Sequence, residues 1–490
     1  MVKEKEEDDD KNYRVYRCII KPTHEFYEPF LYVTHLAKNL YNIGMFYIRN
    51  AYSGAIKSPQ DRFPNEANVI NDLNGVIDQL NEIRLYDKKT KQKKKKPGEM
   101  FSKINEEKRF VSYELLDGLF KVLNQVDYRA LHSHVAQQVL RMLMRDWNSF
   151  FKSLKKYHND PTSFKAEPNI PNYADKNGYK IATFTNLSCD IRKDKKGGYV
   201  QFPKIVMKHG FPSDRFYIGK LDMIDKDFKQ IRLVPEEDHI VMEIVYEIKA
   251  VEDTVDVETA ERIAGIDIGV NNLASIAFTT GHQPVIVKGG KAKSVNQRYN
   301  KVMAHLQSEH LKGKKQETHI RTKRMKRETR RRNNQMDDFM HKKSRKIVDT
   351  CMEENVEVIV IGNNKDWKQN INLGKKNNQN FVQMPFQKFI KMIKYKAEAV
   401  GIKVVITEES YTSKASSIDE DQIPCYGEEE KEYTFSGKRI KRGLYRSKEG
   451  ILMNADINGA SNIIRKVYPC KPKLKERWYR GTVNVPVMCI

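Results

Sequence analysis

The chain has no C-x-x-C pair. Its six cysteines, Cys18, Cys189, Cys351, Cys425, Cys470 and Cys489, stand singly. That scatter argues against a disulfide framework and suits free thiols in a reducing compartment. No apolar run approaches the ~20 residues needed to span a bilayer, so no membrane is expected among the partners. The opening Met1-Val2-Lys3-Glu4-Lys5 runs into acidic residues and lacks the apolar centre of a signal peptide. Negative charge is also in short supply: Asp+Glu 64 stand against Lys+Arg 88, for a net +24. An excess of this size points to a polyanionic partner, and nucleic acid is the usual one. A soluble intracellular protein of two to four domains follows from these limits.

Alternating apolar and basic residues from Tyr13 to Lys21 predict a half-buried strand. Helical spacing then runs through 25–52, 64–83 and 114–154, with a clear stripe at Leu131, Val135, Val139, Leu140 and Leu143. Within this block the run Lys88–Lys96 reads as a solvated loop that could touch a nucleic-acid backbone. Pro161, Pro168 and Pro171 mark a linker, after which short β-rich runs lead to a strand at Ile240–Ile248. These runs and the N-terminal strand could make one small barrel interrupted by the helices.

Ile263-Ala264-Gly265-Ile266-Asp267-Ile268-Gly269 reads as an apolar strand carrying a carboxylate near its end. A buried carboxylate is costly unless it meets a cation or donors. Two readings stay open from these residues alone: a metal-binding acid at the centre of a sheet, or a turn aspartate between hairpin strands. Further strands are predicted at 273–278, 284–287, 356–361 and 402–406, with helices at 294–354, 385–400 and 454–467 and an irregular tail over 468–490. The basic helical region suggests phosphate contacts from Arg321, Lys323, Arg324, Arg330, Arg331 and Arg332, against the alternative of a solvated face.

Three antiparallel-type strands, a helix, a strand, a helix, a strand and a closing helix is the element order of the RNase H-like fold. In that fold, carboxylates at the ends of adjacent strands converge on divalent ions. The motifs G-I-D-I-G-V-N-N at 265–272, Y-T-S-K at 411–414 and N-A-D-I-N-G-A-S-N-I at 454–463 resemble the RuvC-type motifs of transposon-encoded TnpB proteins. These are RNA-guided DNA endonucleases related to Fanzor proteins and compact type V CRISPR effectors. The resemblance covers about 260–465 and is architectural before that.

It implies an α+β multidomain chain. The expected segments are a first strand of a wedge barrel in 1–24, a helical recognition bundle in 25–165 and the rest of the barrel in 166–258. A RuvC nuclease follows in 259–410, with a basic helical insert at 294–354. A basic target-strand loop region occupies 411–452, and the final RuvC helix and tail occupy 453–490. By resemblance Asp267 and Asp456 are catalytic carboxylates; a helix N-cap is the plain alternative for Asp456. The family's middle glutamate, at the end of the fourth strand, is replaced here by Gly362. Glu409, at the end of the next strand, is the expected replacement, with Glu408 as the alternative and Asp366 as a weaker candidate. Many relatives carry two C-x-x-C pairs after Y-T-S. Here Cys425 is the one cysteine between 411 and 456 and no histidine lies there, so no zinc is expected.

The implied function is Mg²⁺-dependent, two-ion cleavage of target DNA beside a short transposon-associated motif, with Asp267, Glu409 and Asp456 holding the ions. Guide RNA and double-stranded DNA are the expected partners. Lys438, Arg439, Lys441 and Arg442 join the expected nucleic-acid contacts. A monomer is favoured over a homodimer, in the cytoplasm of a prokaryote or the nucleus of a eukaryote. The rivals are a nuclease-inactive, RNA-guided repressor, which Gly362 favours, and a DNA-strand transferase.

Overall fold

Strand β1 (Asn12–Ile20) pairs antiparallel with β7 (Ile240–Ile248), from Asn12 opposite Ile248 to Ile20 opposite Ile240. The computed structural model describes residues 12–86, 90, 92–93, 98–219, 227–248, 255–312, 321–363, 383–425, 433–441, 443–469 and 488–489. The chain divides into two units, Met1–Lys249 and Ala250–Ile490.

In the first unit the long excursion between β1 and β7 begins with α1 (Tyr27–Gly54), α2 (Pro64–Leu85), α3 (Tyr113–Val122), α4 (Val126–Ala130) and α5 (Ser133–Asn159). The single helical stretch expected from 114 to 154 is broken into three. Asn124 takes φ 47, the left-handed conformation that ends helices, and Leu131 is extended. The proline-marked linker is strapped along α1: Lys38 Nζ donates to the Lys176 carbonyl at 2.7 Å, Asn42 Nδ2 to that of Ala174 at 3.0 Å, and Arg49 to that of Pro171 at 2.8 Å. The remaining strands are β2 (Ala182–Thr185), β3 (Asp190–Asp194), β4 (Gly197–Gln201), β5 (Arg215–Gly219) and β6 (Asp227–Pro235). Hydrogen bonding sorts them into two sheets, β1-β7-β6-β2 and β3-β4-β5, which share one hydrophobic core with the helices. Most of the Lys88–Lys96 run lies outside the described residues.

The second unit is built on a sheet of order β12-β11-β8-β9-β10-β16. Its members are β8 (Ile263–Ile268), β9 (Asn272–Phe278), β10 (Val285–Lys288), β11 (Val358–Gly362), β12 (Lys403–Thr407) and β16 (Met488–Cys489). The last of these is a two-residue strand within the tail read as irregular, paired parallel with Val285 and Ile286, while 470–487 and 490 lie outside the described residues. The basic region forms two helices, α6 (Gly290–Leu311) and α7 (Lys323–Glu353), followed by α8 (Phe386–Glu398). A small sheet of β13 (Lys438–Lys441), β14 (Leu444–Arg446) and β15 (Leu452–Asn454) replaces the expected basic loop. Helix α9 (Ala455–Val467) closes the unit.

Strand periodicity of two divides the central strands cleanly between layers. Ala264, Ile266, Ile268, Ile359 and Ile361 pack with α7 and α8. Ile263, Val358 and Val360 pack instead with Ile457, Ala460, Ile463 and Ile464 of α9. Asp267 and Gly362 fall on this second face by the same alternation. Because β8, β11 and β12 are mutually parallel, and β10 runs with them across β9, all four strands end at one edge. Among the described residues no helix is long and apolar enough to cross a membrane.

Gly265 fixes how closely α9 approaches: a Cβ there would lie 2.4 Å from the Ala460 carbonyl oxygen and from Ile464 Cγ1. Gly265→Ala is therefore expected to destabilise this unit by about 1–3 kcal/mol, the range for overpacking a core. Urea denaturation of both proteins measures it.

Candidate active site

Asp267 lies one residue before the end of β8, on the face that α9 covers. Gly459 of α9 allows the contact, since a Cβ at 459 would meet Asp267 Oδ2 at 2.8 Å. The Asp267 carboxyl is raised well above the ordinary carboxylate range. Burial is the main cause, then the negative charges of Glu409 and Asp456, with Arg439 opposing them. Of the three sequence-selected acids, separated by up to 189 residues (456 − 267), two thus lie close enough for their charge to act on the third.

Register explains where Gly362 stands. Ile361 pairs with Ile266, so the next position along β11 is level with Asp267 on the neighbouring strand. A Cβ on Gly362 would lie 3.1 Å from Glu409 Oε2 and 2.6 Å from Ile463 Cδ1. The space a side chain would take at 362 is filled by Ile463, with the carboxylate of Glu409 tight beside it. Thr407 pairs with Gly362, and Glu409 follows two residues later. The chain there turns sharply: Tyr411 has φ 63, unusual for a bulky residue, and the Thr412 hydroxyl donates to the Glu409 carbonyl at 2.8 Å. Burial, reinforced by the charge of Glu408 and opposed by Lys466, pushes the Glu409 carboxyl up to about 7.

Glu408 is engaged elsewhere. It forms an ion pair with Lys466 of α9, and its Oε1 accepts from the Ser410 amide at 2.6 Å. Asp456 is not the helix cap. Asn454 does that, accepting from the amides of Asp456 at 2.9 Å and Ile457 at 3.2 Å. The Asp456 carboxylate instead accepts from Asn272 Nδ2 at 2.7 Å and from Arg439 at 3.1 Å. Asp366 and Arg442 lie outside the described residues.

Three residues of α9 that sequence reasoning passed over hold Glu409 relative to Asp456. Asn462 Nδ2 donates to the carbonyls of Thr412 at 2.9 Å and Ala415 at 2.7 Å. Asn458 Nδ2 donates to that of Ala415 at 2.8 Å, and Arg465 to that of Asp421 at 2.8 Å. Their spacing, 458, 462 and 465, is one helix face, and a run of amides on an amphipathic helix is the signal that could have found them.

Arg439, expected as a general nucleic-acid contact, is placed at the acids by the β13–β14 hairpin. Lys438 and Lys441 of the same strand are exposed, as are Lys323, Arg324 and Arg331 on α7 and Arg321 just before it. Arg330 is half-buried, and Arg321 also donates to Thr329 Oγ1 at 2.7 Å. Arg332 turns inward: its nitrogens donate to Asn296 and Asn333 side chains and the Gln383 carbonyl, bracing α6, α7 and the segment at 383.

Among the described residues, no group of three or more His, Cys, Asp or Glu is placed so that it could hold a metal ion. Yet the donor chemistry at the strand ends suits a hard divalent cation. It consists of carboxylate oxygens, with the charges of Glu409 and Asp456 raising the affinity of Asp267 for a proton and Arg439 opposing them.

The probable-transposase family OrfB_IS605 matches residues 243–368, and the Cas12f1-like TNB domain family matches 386–463. A TnpB-like protein, ORF457 of Acidianus two-tailed virus, is 23% identical over 356 residues, which is 68% of this chain and 72% of that protein. These matches make the chain similar to TnpB-family proteins. Both family matches fall on this site: the first contains Asp267 and Gly362, the second Glu409, Arg439 and Asp456. Among solved structures, a Cas12f1–sgRNA–target DNA complex aligns over 92% of this chain and 98% of its own, at 13% identity and TM-score 0.29. The mini-RNA-guided endonuclease CRISPR-Cas_phi3 aligns over 95% and 93%, at 8% identity and TM-score 0.42.

The raised Glu409 carboxyl has a consequence for stability in metal-free buffer. A carboxyl whose folded value (about 7) exceeds its ordinary value (4.5) stabilises the fold below pH 4.5, and that contribution is lost as pH rises through 7. Glu409→Gln should therefore be more stable than wild type above pH 7 in chelator, by up to roughly 3 kcal/mol, with the difference shrinking towards pH 4.5. Chemical denaturation across pH 4.5–8 tests the sign.

Proposed function

We propose that this TnpB-like chain is an RNA-guided DNA endonuclease whose middle carboxylate has moved from the end of β11 to Glu409. The observation that carries the reading is the Glu409 carboxylate lying 3.1 Å from where a Gly362 Cβ would be. The strand order β12-β11-β8-β9-β10, with three antiparallel-paired members and two parallel ones, supports an RNase H-like nuclease domain for 259–410 and 453–467. The two sheets and inserted helices of the first unit support a wedge-and-recognition reading of 12–248.

Asp267, Glu409 and Asp456 would hold two Mg²⁺ ions. Divalent ions there supply Lewis-acid polarisation of a phosphodiester and a water of lowered pKa. The rest falls to side chains of this chain. Asn272 orients one oxygen of Asp456, leaving its carboxylate plane fixed. Arg439 offsets negative charge on Asp456 and Asp267, so that a polyanion can approach. Lys466 pairs with Glu408 and occupies its carboxylate, leaving Glu409 to serve at the strand end. Guide pairing would read the target sequence, while the first unit would recognise the adjacent motif.

The test is cleavage of a guided plasmid by the complex with its copurifying RNA. Glu409→Gln should lose at least about 100-fold in rate, the upper end of what second-shell changes alone cost at metal sites. Glu408→Gln should keep most of it. Full activity in Glu409→Gln would sink the relocation. An inert wild type that binds its target tightly would favour the repressor instead.

A further inference from the structure

A notch of about 330 Å³ in the second unit is lined by Lys288, Gly290, Lys291, Phe339, Lys342 and Lys343. None of these lysines belongs to the basic cluster singled out on the sequence. They come from three elements: Lys288 ends β10, Lys291 lies in the first turn of α6, and Lys342 and Lys343 sit on α7. Phe339 is buried and makes an apolar floor, with Lys343 Nζ 5.9 Å from its ring centroid. Gly290 leaves one side open, since a Cβ there would meet nothing within 4 Å. Lys342 shares its charge with Asp338 at 2.9 Å. Among the described residues, Lys288, Lys291 and Lys343 form no such ion pair. Cations gathered in this way repel one another until an anion joins them, and compact ammonium groups on flexible stems suit a phosphate.

The notch also has a direction. Lys288 lies at the same sheet edge as Asp267, because β8 and β10 run the same way on either side of β9. The Gly289 amide donates to the Asn271 carbonyl at 2.8 Å, Lys293 binds the Asn271 side chain, and the next residue, Asn272, donates to Asp456 at 2.7 Å. Two hydrogen bonds and one peptide unit therefore connect the wall of the notch to a proposed catalytic acid.

Resting on the nuclease reading above, we infer that this notch is a backbone-phosphate subsite for the DNA strand being cut. It is a subsite of the substrate path and not of guide-RNA retention.

The experiment uses the full chain with its copurifying RNA, in chelator so that nothing is cut. The variants are Lys288→Gln/Lys291→Gln and Lys342→Gln/Lys343→Gln. A labelled single-stranded DNA oligonucleotide is titrated by fluorescence anisotropy over a salt series. Each double variant should bind about 10-fold more weakly at low salt, with a salt slope shallower by about one. RNA content and melting temperature should match wild type. Unchanged DNA affinity and slope would overturn the proposal. So would loss of RNA with DNA binding intact, which would make the notch a guide-RNA site. Weakened DNA binding in the variants, alongside a wild type that fails to cut when Mg²⁺ is added, would support the subsite while rejecting the nuclease reading.

Discussion

The close seat of α9 on the central strands is the constraint from which the site follows. Gly265, Gly362 and Gly459 each remove a Cβ where the helix and sheet would otherwise collide, with Ala460, Ile463 and Asp267 respectively. Backbone approach this tight is available only to glycine. It brings the N-terminal turn of α9, and Asp456 with it, down to the ends of β8 and β11. The same helix turns Asn458, Asn462 and Arg465 to the 412–421 segment and so sets where Glu409 can stand. One helix thus holds an acid of its own and positions another.

The region between Glu409 and Asp456 is organised by carboxylates. Asp421 accepts from the Ser416 amide at 2.7 Å and the Ser436 hydroxyl at 2.5 Å, joining two stretches of chain, and Asp419 accepts from the Lys448 amide at 2.8 Å. Ile418, Tyr445, Met453 and Ala455 supply a small apolar core beneath them. The hairpin built on this base is what presents Arg439 to Asp456. Arg439 is exposed enough to face a ligand while already paired, so its charge serves the acids first.

Much of the second unit was legible because its strands are short, continuously apolar and well separated. The alternation that puts Asp267 and Gly362 on one face can be read once β8 and β11 are known to be neighbours. What failed were polar elements: Asp190–Asp194 and Lys438–Lys441 are strands with hardly an apolar residue, so no periodicity marks them. The break at Asn124 depends on one left-handed residue inside an otherwise helical pattern. Resemblance points to an acid at the end of the next strand, but the fit of Glu409 against Gly362 exists only in three dimensions. Arg439 and Arg332 look like their basic neighbours in sequence. Only partners separate them, one at the acids and one bracing helices from within.

The pairing of β1 with β7 bears on how the chain is made. Ile20 and Ile240 are 220 residues apart (240 − 20). At roughly 5–20 residues per second, β1 leaves the ribosome some tens of seconds before its partner strand exists. Tyr13, Val15 and Ile19 are still exposed along it in the finished fold, so during that interval it is an apolar, unpaired edge. The helices from α1 to α5, rich in local contacts, can form meanwhile. Synthesis therefore orders the first unit: bundle before sheet, with the first strand made among the last to dock.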